Sequence, residues 1–165
     1  MVIEVRRTSA GEDPEAVGQA LDIRYEVFVD EQGVPVELER DADDASCEHF
    51  LAVADGVLIG AGRLVVEVVE ATEPVEPAEP GGPARLRGHL GRLAVLAKHR
   101  GTGAGVALVR AIEDRAGELG LAEVYLGAQL YATGFYARLG YEPYGAQFWD
   151  AGIKHIHMRK RLTLP

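Results

Sequence analysis

The chain has 165 residues and a formal net charge of −9, from 17 basic and 26 acidic side chains, with 47% hydrophobic residues. That length suits about one domain with its own core, and the acidic balance argues against nucleic acid or an anionic membrane as the main partner. A single cysteine, Cys47, excludes an internal disulfide framework. The opening segment lacks the apolar core of a signal peptide and no run reaches membrane-spanning length, so a cytoplasmic protein is expected.

In chain order, VIEVRR (2–7) alternates like a short strand. DPEAVGQALDIRYEVFVDEQG (13–33) opens with a helix-starting Asp-Pro and sets Val17, Leu21, Arg24 and Phe28 along one stripe. An arginine on such a stripe implies an ion pair, or a stem that packs while its charge reaches the rim. ERDADDASCEH (39–49) reads as an acidic loop, and FLAVADGVLIGAGRLVVEVVE (50–70) as two strands turning at Asp55-Gly56. EATEPVEPAEPGGPAR (70–85) alternates proline with glutamate and has almost nothing to bury, so it predicts a flexible surface loop inside one domain.

HLGRLAVLAKHR (89–100) reads as a strand. It is followed by HRGTGAGVALVRAIEDRAGELG (99–120), in which Leu108, Ile112, Ala116 and Leu119 recur at helical spacing up to a stop at Gly120. AEVYLGAQL (122–130) has the look of a buried strand and YATGFYARLG (131–140) of a short helix. AQFWDAGIKHIHMRKRL (146–162) closes as a hairpin turning near Asp150-Ala151-Gly152. The order predicts a single mixed α/β (α+β) domain, a central sheet flanked by helices.

The glycines at 101, 103 and 105 raise a physical question, because glycine is a costly residue with which to begin a helix. A helix start of this kind exposes unpaired amides at the positive end of the helix dipole, and missing side chains let a phosphate reach the backbone. Arg100 adds a full charge at the edge, so residues 100–105 are expected to bind a pyrophosphate. A P-loop is excluded, since Gly105 is followed by Val106-Ala107 rather than Lys-Ser/Thr. A Rossmann site requires an acid at the end of the next strand, and Glu123 stands at its beginning.

RGTGAG (100–105), preceded by GRLAVL (91–96) and followed by ATGFYARLGY (132–141), resembles the acyl-CoA signature of the GNAT N-acetyltransferase superfamily. RYEVFVDEQGVPVELERDADDASCEHFLAV (24–53) and AGIKHIHM (151–158) are similar to its small bacterial, ElaA-like branch with an EQG-x-P segment. The resemblance implies an acetyl-CoA-dependent N-acetyltransferase. Backbone groups of Leu93, Ala94 and Val95 would receive the pantetheine arm, and Arg100, Gly101, Thr102, Gly103, Ala104 and Gly105 the pyrophosphate. Gln129 falls where many members carry asparagine, and its longer amide can make a similar bond. Tyr136 falls on the tyrosine that often protonates the departing thiolate.

The chemistry points the same way. An alkylamine of pKa near 10.4 is mostly protonated at pH 7, so a base must free its lone pair, while a phenol can assist a thiolate leaving group. His49, His89 and His155 are the histidines that could face an acceptor, and the resemblance places Glu31, Gln32, His49 and His155 at the acceptor side. The polar set Glu31, Gln32, Glu39, Asp41 and Asp44 is either a negative field suited to a cation or a solvated acidic loop. Histidine spacings match no zinc pattern, so no metal is expected. The expected partners are acetyl-CoA as co-substrate and a small-molecule or peptide amine, and a homodimer is compatible with the sequence. The alternative is a catalytically silent acyl-CoA-binding or sensing domain.

Overall fold

In the computed structural model, residues 1–69 and 85–162 are described; the expected flexible loop at 70–85 lies, but for Arg85, outside them. Seven strands form one sheet: β1 (Ile3–Thr8), β2 (Glu48–Ala54), β3 (Val57–Val68), β4 (Leu86–Val95), β5 (Glu123–Gln129), β6 (Glu142–Asp150) and β7 (Ile153–Arg161). Their order is β1-β2-β3-β4-β5-β7-β6, and only the β4–β5 pairing is parallel. Helix α3 (Ala104–Glu118) is the crossover that this one parallel step requires.

Alternation along the strands splits the core into two layers. Phe50, Leu64, Leu90, Val124 and Leu126 pack with Leu108, Ile112 and Ala116 of α3. Leu51, Ala61 and Ala94 face the other way, onto Ala20, Ile23 and Val27. Leu108 and Ile112 are completely buried, each contributing about 1.5–3 kcal/mol of transfer free energy. Leu119, expected on this stripe, is 37% exposed because α3 ends at Glu118, and Val109 takes a buried place instead.

The first helix differs from expectation in its winding. Helix α1 (Pro14–Arg24) is capped by Asp13, whose carboxylate accepts from the Ala16 amide at 3.1 Å. From Tyr25 to Glu31 the chain winds as a π-helix, with the Gln32 amide donating to the Val27 carbonyl at 3.2 Å. The buried stripe is Val17, Ala20, Ile23, Arg24 and Val27, while Leu21 and Phe28 are half-buried. The segment read as a loop, 39–49, begins at the last residue of α2 (Val36–Glu39) and holds a 3₁₀ turn (Ala42–Ala45). That turn is closed by reciprocal bonds, Asp43 amide to the Asp41 carboxylate and Asp41 amide to Asp44, each 3.1 Å. A short helix α4 (Thr133–Arg138) lies against β5 and β6. Among the described residues no helix is long and apolar enough to cross a membrane.

Candidate active site

Strands β4 and β5 pair only at Gly88–Val124 and His89–Tyr125. Beyond that last rung β4 stays with β3 as far as Val95 and β5 stays with β7 as far as Gln129, so the sheet forks. A bulge in β4 reinforces the parting: Gly91 faces Arg63 and Ala94 faces Ala61, leaving an extra residue between. Within the bulge Arg92 holds a left-handed φ of 50°, a conformation costing about 1–2 kcal/mol for a residue with a Cβ. Contacts elsewhere hold it there, since its guanidinium donates to the Glu39 carbonyl at 3.0 Å and the Leu38 carbonyl at 3.3 Å.

The fork opens into a cavity of about 750 Å³, bordered by Leu90–Val95 of β4, by Leu126, Gly127 and Gln129 of β5, and by Phe135 and Tyr136 of α4. The glycine turn and the N-terminus of α3 form one end. Gly101 and Gly103 have φ of 78° and 92°, and a Cβ at either would meet no atom within 4 Å. No side chain caps α3, and the first amide to find a backbone carbonyl is Ala107, bonded to Gly103 at 3.0 Å. Among the described residues the amides from Gly101 to Val106 therefore have no backbone partner, and all but Thr102 of that stretch border the cavity. Thr102 turns its hydroxyl back to the His99 carbonyl at 2.6 Å. Gly105 serves packing as well, because a Cβ there would stand 3.2 Å from Phe135 Cζ. The open amides, positive dipole and room for a group beside the backbone fit a pyrophosphate.

Several expected site residues stand together. Gln129 donates to the Gln32 side chain at 2.9 Å, so a residue expected on the cofactor side and one expected on the acceptor side meet across the cavity. His155 borders it and donates from Nδ1 to the Ile153 carbonyl at 2.7 Å; a carbonyl only accepts, so Nε2 carries the free lone pair. Tyr136 is 8% exposed, and its hydroxyl has no hydrogen-bond partner among the described residues. Burial raises the phenol well above its ordinary pKa, which keeps it protonated.

Two expectations need correction. Glu31 does not border the cavity; both its carboxylate oxygens take Arg100 Nη2, at 2.9 and 3.0 Å, while Arg100 Nε donates to the Val95 carbonyl at 3.0 Å. The pair ties the π-helix to the end of β4 and occupies the charge expected to face a phosphate. His49 is completely buried in β2, with Nε2 donating to the Asp44 carbonyl at 2.9 Å. It faces the layer beneath the acidic segment, where no acceptor reaches.

The acidic segment is likewise engaged internally. Arg24, 1% exposed, bonds Glu39 at 2.6 Å and Asp44 at 2.7 and 3.1 Å. Arg63 forks onto Asp41 at 2.7 and 2.8 Å and reaches Asp44 at 2.9 Å, and Arg92 adds a 3.3 Å contact to Asp41. Burial alone would raise the Asp44 carboxyl, but the bonds and charge of Arg24 and Arg63 hold it well below the usual carboxylate range. Three cations thus pair with Glu39, Asp41 and Asp44. Asp44, Cys47 and His49 bring possible ligand atoms within 4.8 Å of one another. The set suits a metal poorly: two guanidiniums hold the carboxylate and burial pushes the thiol up to about 11.

What the sequence could not reveal is the company of His89. It borders the cavity on the last rung of the fork, its ring stacked on Tyr125 at 4.5 Å, with Glu67 of β3 beside it. Strand register creates that grouping, and register is not a local property of sequence.

A single parallel step that splays open beneath a glycine-started helix, in a seven-stranded mixed sheet, defines the acyl-CoA N-acyltransferase fold. The chain belongs to the GNAT acetyltransferases: the sequence model described as "Acetyltransferase (GNAT) domain" matches residues 12–162. It is 33% identical over 147 residues to the uncharacterized N-acetyltransferase YjcF of Bacillus subtilis, covering 88% of this chain and 93% of that one. Among solved structures it resembles an acyl-CoA N-acyltransferase from Pseudomonas aeruginosa, with a TM-score of 0.75, 28% identity and coverage of 96% and 99% of the two chains. Escherichia coli ElaA is similar with a TM-score of 0.72, 26% identity and the same 96% and 99% coverage.

Proposed function

We propose that the protein moves the acetyl group of acetyl-CoA to a primary amine, by direct attack within a ternary complex. The observation that carries the reading is the run of open amides from Gly101 to Val106 at the head of a fork with free strand edges. Those amides would hold the pyrophosphate, with the α3 dipole behind them. Backbone groups of Leu93 and Ala94 would align the pantetheine arm; the Val95 carbonyl is already taken by Arg100. Acetyl-CoA supplies the activated thioester.

Tyr136 is the group for the departing sulfur. Its raised pKa makes it a weaker acid than an ordinary phenol but secures the O–H at all working pH values. Its part is thus a hydrogen bond to a developing thiolate, worth about 1.5–3 kcal/mol for a bond to a charged group. Gln32, Gln129 and His155 border the space left for the acceptor.

Thiol release from acetyl-CoA, measured with a panel of alkylamines, amino-acid amides and a lysine peptide, tests the reading, with the acetylated product identified by mass. Amine-dependent release is expected. Tight binding of acetyl-CoA with no release by any amine would contradict it and favour a silent acyl-CoA-binding domain.

A further inference from the structure

Acetyl transfer leaves the acceptor open among small amines and peptides; the walls of the cavity narrow it. Strand partners share a face of the sheet, so Gly127 and Gln129 of β5, His155 of β7 and Phe148 of β6 stand together on one side. That side is the one away from α3, whose helix packs on the alternate residues Val124 and Leu126. From the apex of the fork, at His89 and Tyr125, the cavity widens there between the π-helix and the β6–β7 hairpin.

Both walls of this space are apolar. Val27, Phe28, Val34 and Leu38 border it from the π-helix and the segment that follows, and Phe148 and Ile153 border it from the hairpin. A missing side chain lets Phe148 in: a Cβ on Gly127 would stand 3.2 Å from Phe148 Cζ, so the ring lies over bare backbone where β5 leaves the fork. The same ring is stacked on His157 at 4.3 Å and on His155 at 5.6 Å, which fixes its orientation before any ligand arrives.

The polar groups beside these walls are turned elsewhere. Glu39 bonds Arg24, Arg92 reaches the carbonyls of Leu38 and Glu39, and Arg100 pairs with Glu31. Gln32 and Gln129 bond each other, and His155 spends its Nδ1 proton on the Ile153 carbonyl. Asp150, at the hairpin end of β6, is different. It stands exposed on the border of the cavity, and its side chain has no ion pair or hydrogen bond among the described residues. A carboxylate at the entrance draws an ammonium inward and repels an acid.

Taking acetyl transfer as read above, we propose that the acceptor is a primary monoamine with an apolar body, an alkyl or arylalkyl chain lying between Leu38 and Phe148, and that Asp150 turns away amines that carry an acid group. The chain sheds water against Val27, Phe28 and Ile153 as it enters. A second charge on that chain would lose its hydration between the same walls and find no counter-group there.

The test titrates amines into the protein saturated with CoA, which reads the pocket without turnover, and repeats the series as kcat/KM with acetyl-CoA. Ethylamine, butylamine and hexylamine share one basicity, so their differences report the walls; both readouts should rise about fourfold for each methylene covered. Phenethylamine should exceed phenylalanine, and hexylamine its isosteric diamine, by about tenfold or more. Leu38 and Asp150 are exposed, so substitution there leaves the core intact. Leu38→Asp should flatten the alkyl series with acetyl-CoA affinity unchanged, and Asp150→Asn should shrink the discrimination against phenylalanine by about threefold or more. Hexylamine within about twofold of ethylamine, or a preference for the diamine or for phenylalanine, overturns the inference alone. A rise with the length of the acyl group on CoA in place of amine length gives the walls to the acyl chain and overturns it as well. Amines bound in the expected order but never acetylated overturn the acetyl-transfer reading instead.

Discussion

At the head of α3 the amides from Gly101 to Val106 have no backbone partner among the described residues and all but Thr102 of that stretch border the cavity, whereas across the fork Glu39, Asp41 and Asp44 each meet a guanidinium. Both segments are polar; in sequence the first reads as an anion site and the second as either a field suited to a cation or a solvated loop. The first leaves its donors unsatisfied on accessible backbone, where solvent or a ligand must complete them. The second closes its groups on one another in a buried network that fixes α1, the 3₁₀ turn and the β4 bulge relative to each other. A polar cluster thus serves binding or architecture according to whether its partners lie within the chain, and substitutions on the two sides should separate affinity from stability.

The largest effect expected on the closed side is for Asp44→Asn. It leaves Arg24 and Arg63 short of a buried counter-charge and should cost about 3–5 kcal/mol in urea unfolding, while the folded fraction keeps its acetyl-CoA affinity. The pH dependence follows from the depressed carboxyls. Folded values below the unfolded ones mean that Asp44 and Asp41 stabilise the fold fully above about pH 4, and that this contribution fades as pH falls through their folded values. Acid unfolding should be less steep in Asp44→Asn. A loss under about 1 kcal/mol would place the segment among exposed ion pairs and dissolve the contrast.

Tyr136→Phe should come next. Removal of a single hydroxyl from a ring packed edge-on to Phe135 and Tyr141 leaves packing in place, and kcat should fall about 10–100-fold at unchanged KM. A kcat within twofold of wild type, with chemistry rate-limiting, would reduce Tyr136 to a packing aromatic.

How much of this was legible follows the range of each interaction. The glycine turn, the α3 stripe and the Asp13 cap are local, and local spacing revealed them. Arg24 on an apolar stripe implied an ion pair or a snorkelling stem; it is an ion pair, whose partners Glu39 and Asp44 come from a segment legible in sequence only as an acidic loop, because the pairing is tertiary. The π-helix at Tyr25–Glu31 has no residue signature, and Phe28 within it is only half-buried. His49 and His155 looked alike as strand histidines; β2 runs between two covered layers and β7 does not, so one is sealed and the other open. The fork itself, which makes His89 an apex residue, arises from where two distant strands stop pairing.

The smallest effect is expected for Glu31→Gln. The Arg100–Glu31 pair is partly exposed, at 48% and 34% of the two side chains, so stability should change by no more than about 1 kcal/mol. Acetyl-CoA affinity should not fall, because the substitution frees Arg100 toward the glycine turn. A raised acceptor KM with unaltered CoA binding would return Glu31 to the acceptor side.

The open amides themselves are tested most directly by calorimetry of CoA and of pantetheine on the wild type and on Gly103→Asp. Asp tolerates the left-handed φ of 92° better than most residues, and its carboxylate would set a negative charge at the helix start in the phosphate's place. The wild type should bind CoA far more tightly than pantetheine, and a folded Gly103→Asp protein should bind the two almost equally. Undiminished CoA affinity in that variant would contradict the phosphate site at the head of α3.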